Sequence, residues 1–202
     1  MKQAFEITDQ NTIDTLLHSQ SYGTLALCAD NKPYSLPINY VHIDDAIYFH
    51  GSKSGRKIEI LKENPFASFS VVEAHAIIPS YFSSTESLAC PATHFFKSIM
   101  IEGEIAFVET YDEKVKALSA LMGKLQPQGG YKALSEASYQ KAIHATTLYK
   151  LIPKITSAKY KFAQNLPQER FEMILSHLNK RADKLDKKTM QEMKNQRSHS
   201  CN

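Results

Sequence analysis

Cysteine is scarce in this chain: Cys28, Cys90 and Cys201 are spread over 202 residues. An odd, dispersed set makes no disulfide framework, and a reducing cytoplasm is the expected setting. No apolar run approaches the roughly 20 residues that span a bilayer. The opening MKQAFEITDQ lacks the apolar centre of a secretion signal, so neither secretion nor membrane insertion is expected. Charge of one sign is also lacking, since 24 Lys and Arg face 21 Asp and Glu for a net +3. Even that excess is local. Residues 180–197 carry seven basic and three acidic side chains, a net +4 that leaves the rest slightly negative. Without a general basic field a nucleic-acid partner is not expected. Three catalytic signatures are missing as well: G-x-S-x-G, H-E-x-x-H and G-x-G-x-x-G.

What remains is an ordinary globular composition, 43% hydrophobic and 22% charged, long enough for a core without staples. Thr8 or Asp9 caps a first helix whose Ile13, Leu16 and Leu17 recur at helical spacing. Strands are predicted over 24–28, 33–42, 46–50, 66–74, 95–108 and 147–155, with turns at 29–32 and Asp44-Asp45. Gly103 is expected as a bulge. Thr110 and Glu113 read as a capping box for a helix through Val115, Leu118, Leu121, Met122 and Leu125. A further helix is predicted over 135–145. From Asn165 the pattern is helical and polar, with Phe171, Ile174, Leu175 and Leu178 as its apolar stripe. Six strands in hairpins with few helices predict a mainly β fold, a small antiparallel barrel over residues 1–160 with a helical basic extension over 161–202.

Three stretches can carry chemistry. In YFHGSKSGRKIEILKENP, a strand ending at His50 is followed by a loop framed by Gly51 and Gly55, and Arg56-Lys57 opens a helix. Glycines let backbone N–H groups approach an anion, the helix start adds its dipole, and two cations add charge-assisted hydrogen bonds. That suits a phosphate monoester. The spacing G-x3-G-R-K is not a Walker loop, and a solvated basic turn is the competing reading. In the second stretch, Pro37 leaves a ladder position without a donor, so the strand holding Pro37, Ile38, Asn39 and Tyr40 is expected to be an edge or locally irregular. Bare backbone and Asn39 can meet the polar rim of a flat heterocycle, or the proline serves only to protect the edge. In the third, HFFKSIMIEGEIAF, Lys97 and Ser98 offer a cation and a hydroxyl at a strand start.

Taken in order, YGTLAL, PYSLPINYVH, DDAIYFHGSKSGRK with ILKENP, KSIMIEG and LYKLIPKITSAK resemble the FMN-binding split-barrel superfamily. That group contains pyridoxamine 5′-phosphate oxidase and the 5-nitroimidazole-resistance branch, and the chain is most similar to the latter. The resemblance implies a six-stranded Greek-key barrel that forms a homodimer with FMN at the subunit interface. It implies that Arg56 and Lys57 hold the phosphate, helped by Ser98 and Lys97, while the Pro37–Tyr40 strand lies along the flavin. It places His50 near the flavin, where it positions substrate or cofactor as the one candidate catalytic residue. The oxidase reads R-Q-V-R-I-E-G where this chain has KSIMIEG, and its arginine-rich C-terminal substrate segment is replaced by ITSAKYKF, so vitamin B6 oxidase activity is not expected. The implied function is a flavin oxidoreductase taking electrons from NADH or NADPH to a small acceptor such as a nitroaromatic. Two alternatives stand beside it. One is a haem-binding or haem-degrading protein using among His75, His94, His144, His177, His199 and Cys90. The other is a non-catalytic FMN carrier or sensor. No metal site is expected.

Overall fold

A computed structural model of the chain describes residues 2–200, with side chains described for 2–198. Cys201 and the side chain of His199 lie outside the described residues. Among these residues the chain forms eight strands and six α-helices. In chain order they are β1 (Glu6–Ile7), α1 (Gln10–Ser19), β2 (Tyr22–Ala29), β3 (Lys32–Asn39), β4 (Val41–Ile43), β5 (Ala46–Gly51), α2 (Arg56–Glu63), β6 (Phe66–Ile78), β7 (Thr93–Phe107), α3 (Tyr111–Leu125), α4 (Gln140–Ala145), β8 (Thr147–Lys161), α5 (Gln168–Arg181) and α6 (Asp186–Ser200). The strands follow the order β3-β2-β6-β7-β8-β5-β4, with β1 added on β8. None of the helices is long and apolar enough to cross a membrane, among the described residues.

The contacts divide the chain into two compact units. One comprises residues 1–9, 72–98 and 157–202, the other 10–71 and 99–156. In the second unit, hairpin chemistry sets the strands. Asp30 and Asn31 take φ of 50° and 57°, and Asp44 and Asp45 take 48° and 55°. Such consecutive left-handed residues match the twist of a two-residue hairpin, and Asp and Asn tolerate that region. β2 pairs β3 from Tyr22–Asn39 to Ala29–Lys32, and β4 pairs β5 through Val41–Tyr48.

The single strand expected over 33–42 is therefore two, broken at Tyr40. The Tyr40 ring is fully buried, and its hydroxyl donates to Leu17 O at 2.7 Å. That anchor lets the chain leave β2 and join β5. Around it the unit's core gathers Leu25, Ile47, Phe49, Phe69, Ile99 and Tyr149. The capping box does not form. Thr110 stands at the start of α3 without a side-chain capping bond, because Glu113 accepts instead from Tyr48 Oη at 2.9 Å and Lys150 Nζ at 2.8 Å. Gly103 is needed for close approach: a Cβ there would run into the Ile152 carbonyl oxygen of β8.

The other unit buries Phe82, Phe95, Phe162 and Met193 together with the predicted stripe residues Phe171, Ile174 and Leu178 of α5. Ala182 ends α5 in the left-handed region. α6 is tied down by Thr189, whose hydroxyl accepts from Ala76 N at 3.1 Å, and by the Lys97–Glu192 ion pair at 2.6 Å.

Candidate functional site

The site is built where β5 runs into α2. β5 is buried along Ala46–Phe49, and the chain surfaces at His50. The loop folds on itself: Ser54 N donates to Ser52 Oγ at 3.2 Å, and Tyr149 Oη donates to Ser52 O at 2.6 Å. Gly55 then takes φ 102°, ψ 176°, a conformation that side chains rarely adopt, and its carbonyl accepts the first α2 bond from Ile58 N at 2.9 Å. Glu59 N donates to the same carbonyl at 3.3 Å, and ahead of these bonds the N–H groups of Arg56 and Lys57 have no intrahelical acceptor.

Lys57 is the centre of the arrangement. Its ammonium lies 4.3 Å from the ring centroid of Tyr149 and 5.5 Å from that of Phe49, two rings stacked at 5.1 Å. It fills the space that a side chain at Gly51 would need. Burial pushes the Lys57 ammonium below its ordinary pKa, and no carboxylate pairs with it among the described residues. Arg56 is exposed, its guanidinium 4.5 Å above the Tyr34 ring. A half-desolvated cation on an aromatic bed, beside free helix N–H groups, offers strong bonding to an anion.

The other predicted residues fall in distinct places. β3 is an edge strand, and Pro37 sits opposite Thr24. Ile38 and Asn39 are half-buried, and Asn39 Nδ2 donates to Ser21 O at 3.1 Å. Tyr40 is a core residue, with Lys124 3.9 Å above its ring. His50 borders a cavity of about 330 Å³ lined mostly by apolar side chains of α3 and α4, among them Leu121, Leu125 and Ile143, with Tyr131 and Tyr139. Lys97 and Ser98 belong to the other unit, and the Lys97 ammonium is committed to Glu192.

Sequence reasoning did not single out Tyr149, Phe49, Tyr34 or Ser52. Alternation along a strand shows which residues are half-buried, and nothing in it shows that a ring lies under a lysine 92 positions away. The haem candidates among the described residues fall in separate places. His94 Nε2 sits 2.9 Å from His75 O, His75 meets Phe162 edge-on, and His177 stacks on Phe82 at 4.7 Å. His144 leans on Tyr111 at 5.1 Å, and Cys90 is exposed. Among the described residues no three His, Cys, Asp or Glu gather as a metal site.

Residues 9–160 match the family model described as pyridoxamine 5′-phosphate oxidase. The chain belongs to this family. Over those residues its strands and helices are accordingly those of the family's split-barrel fold. Solved structures agree. The FAD and haem binding protein from Mycobacterium smegmatis is 26% identical, with a TM-score of 0.64 over 77% of this chain and 73% of that one. The flavocytochrome Anf3 from Azotobacter vinelandii is 20% identical, with a TM-score of 0.62 over 80% of this chain and 72% of that one. A candidate 5-nitroimidazole antibiotic resistance protein from Bacteroides thetaiotaomicron is 21% identical, with a TM-score of 0.61 over 76% of this chain and 85% of that one. The last two show likeness of fold. Among curated proteins, the uncharacterized protein RA0666 of Rhizobium meliloti (strain 1021) is 39% identical over 49 residues, 24% of this chain and 32% of that protein. The match spans about a third of that relative's length.

Proposed function

We propose that this family member is a flavoprotein that binds FMN by its phosphate at the Gly51–Lys57 turn and carries electrons from NADH or NADPH to a small, largely apolar acceptor. The observation that carries the reading is Lys57: a half-buried ammonium, held on the rings of Tyr149 and Phe49, with no carboxylate partner among the described residues. A phosphate dianion is the group this cation suits, because it restores the bonding that burial removed. Arg56 and the first N–H groups of α2 add to the same charge. A single such cluster favours FMN over FAD.

When bound, the flavin supplies reversible two-electron transfer. The chain's residues do the rest. Gly51 leaves room for the Lys57 head, and Tyr149 fixes the loop through Ser52. The β3 edge, with Pro37 interrupting its donors, offers backbone groups to a flat polar rim. His50 holds a polar group of the acceptor at the mouth of the cavity, whose apolar walls exclude water. A homodimer with the cofactor between protomers, completed by Lys97 and Ser98, belongs to this reading.

A second reading has one observation in its favour. The Mycobacterium smegmatis neighbour, at 26% identity, is described as binding haem as well as FAD. One experiment separates them: the absorption spectrum of the purified protein before and after FMN, FAD and haemin. Flavin bands that bleach under NADH or NADPH without oxygen are expected. A protein that leaves FMN fluorescence unquenched and gives a Soret band with haemin would replace the first reading by the second.

A further inference from the structure

The cavity of about 480 Å³ in the unit formed by residues 1–9, 72–98 and 157–202 has no part in this reading. Four cationic residues line it: Lys2, Lys159, Lys161 and Arg170. Among the described residues no acidic one does. The cations come from the chain start, from the end of β8 and from α5, so the fold has gathered them from three separate segments. The floor is apolar, with Phe5, Phe95 and Ile174, and Ser83 and Thr93 add hydroxyls.

Lys159, Lys161 and Arg170 are held in place, and Lys2 is exposed at the rim. The Lys161 ammonium donates to Thr93 Oγ1. Arg170 Nε donates to Ser83 O at 2.8 Å, and its Nη2 lies 3.4 Å from Ser83 Oγ. Lys159 sits over the rings of Phe5, at 5.8 Å, and Phe96, at 5.4 Å. Carboxylates nearby are otherwise disposed. Glu6 stands opposite Lys159 in the β1–β8 register but is exposed and makes no ion pair among the described residues. Glu172 on α5 accepts from Gln168 at 2.6 Å.

We infer that this cavity is a second anion site, built to take a small doubly charged anion with an apolar body, of which a phosphate monoester is the simplest kind. Like charges drawn together over an apolar floor cost free energy that only a bound anion returns. The strain is visible at Lys161, where burial, and then the charges of Lys159 and Lys2, push the ammonium below its ordinary pKa. Hydroxyls and guanidinium fit phosphate oxygens, and the phenylalanines fit what the phosphate is attached to.

The test uses the full chain and phenyl phosphate, titrated calorimetrically and followed by thermal unfolding. The loop cations are first removed in an Arg56→Ala/Lys57→Ala protein, so that failure of the FMN reading and failure of this one are distinguishable. That protein is expected to bind one phenyl phosphate and to gain melting temperature with it. Adding Lys159→Gln and Lys161→Gln is expected to weaken binding at least about tenfold, while the ligand-free melting temperature holds or rises as repulsion is relieved. Should the combined variant fail to fold, Lys159→Gln alone carries the test, with at least about threefold weaker binding expected. No binding to the loop-deficient protein, or binding unchanged by the glutamines, would overturn the proposal.

Discussion

The ammonium of Lys57 rests 4.3 Å from the ring centroid of Tyr149, whose hydroxyl donates to the Ser52 carbonyl at 2.6 Å. One tyrosine thus positions both the cation and the loop beside it. Lys57→Met is expected to weaken FMN binding about tenfold to a hundredfold, the range for a lost charge-assisted hydrogen bond. Gly51→Ala should do nearly as much, since its methyl group displaces the lysine head. Because that head is the end of a flexible chain, the melting temperature should move little. Fluorescence quenching of FMN measures the first effect and calorimetry the second. Affinity unchanged in both variants would remove the phosphate from this turn.

Lys124 carries a pH signature. Its Nζ reaches Leu17 O at 3.2 Å over the Tyr40 ring, and burial lowers its pKa from 10.5 to about 8. Below pH 8 both the folded and the unfolded chain carry the charge, and the fold bears the full cost of burying it. As pH rises from about 8 towards 10.5, only the folded chain releases the proton, so stability rises. Lys124→Met, which leaves the Tyr40 hydroxyl on Leu17 O, should be more stable than the parent at pH 7 and lose that advantage by pH 10. Urea unfolding at both values checks it; parallel pH profiles would contradict it.

Asp186 joins the two C-terminal helices. It receives Arg181 Nε at 2.9 Å and Nη2 at 2.5 Å, and Asp183 N at 2.9 Å, with its own side chain 1% exposed. Arg181 first, then the Asp183 N–H, hold its carboxyl below the usual carboxylate range. That stability is present above the ordinary carboxylate pKa and disappears as pH falls through the depressed folded value. Asp186→Asn should cost about 2–4 kcal/mol at neutral pH and flatten the acid limb of the stability curve. Equal urea midpoints for the two proteins would refute the assignment.

Gly103→Ala tests the strands directly. The added methyl group meets backbone of β8, the Ile152 carbonyl, which cannot swing aside as a side chain can. A loss of about 3 kcal/mol or more is expected, read as a lower unfolding midpoint or as insoluble protein. A midpoint within about 1 kcal/mol of the parent would show that the strands can separate there.

Much of this was legible in the residues. Ile13, Leu16 and Leu17 announced α1, and Asp44-Asp45 announced a hairpin, because local periodicity and turn chemistry act within a few positions. The Gly51–Lys57 turn, as a place where two glycines meet two cations, was legible for the same reason: these residues are neighbours in sequence. The break at Tyr40 was not, since it depends on a hydrogen bond to Leu17 O, 23 residues earlier. The capping box failed because Glu113 is drawn away by Tyr48 and Lys150, partners that only the folded chain supplies. The aromatic bed of Lys57 and the four-cation cavity were hidden too, each assembled from segments far apart along the chain.

The β1–β8 pairing bears on how the protein is made. Glu6 pairs with Lys159 and Ile7 with Ala158, so β1 waits for about 150 further residues before its partner exists. At about 5–20 residues per second of synthesis, that delay is roughly 10–30 s. Loop closure over such a span is entropically modest but slow to be rewarded. Phe5, next to β1, is buried in the finished fold. β1 is therefore among the last strands to find its place, because its partner is the last strand of the sheet to be made.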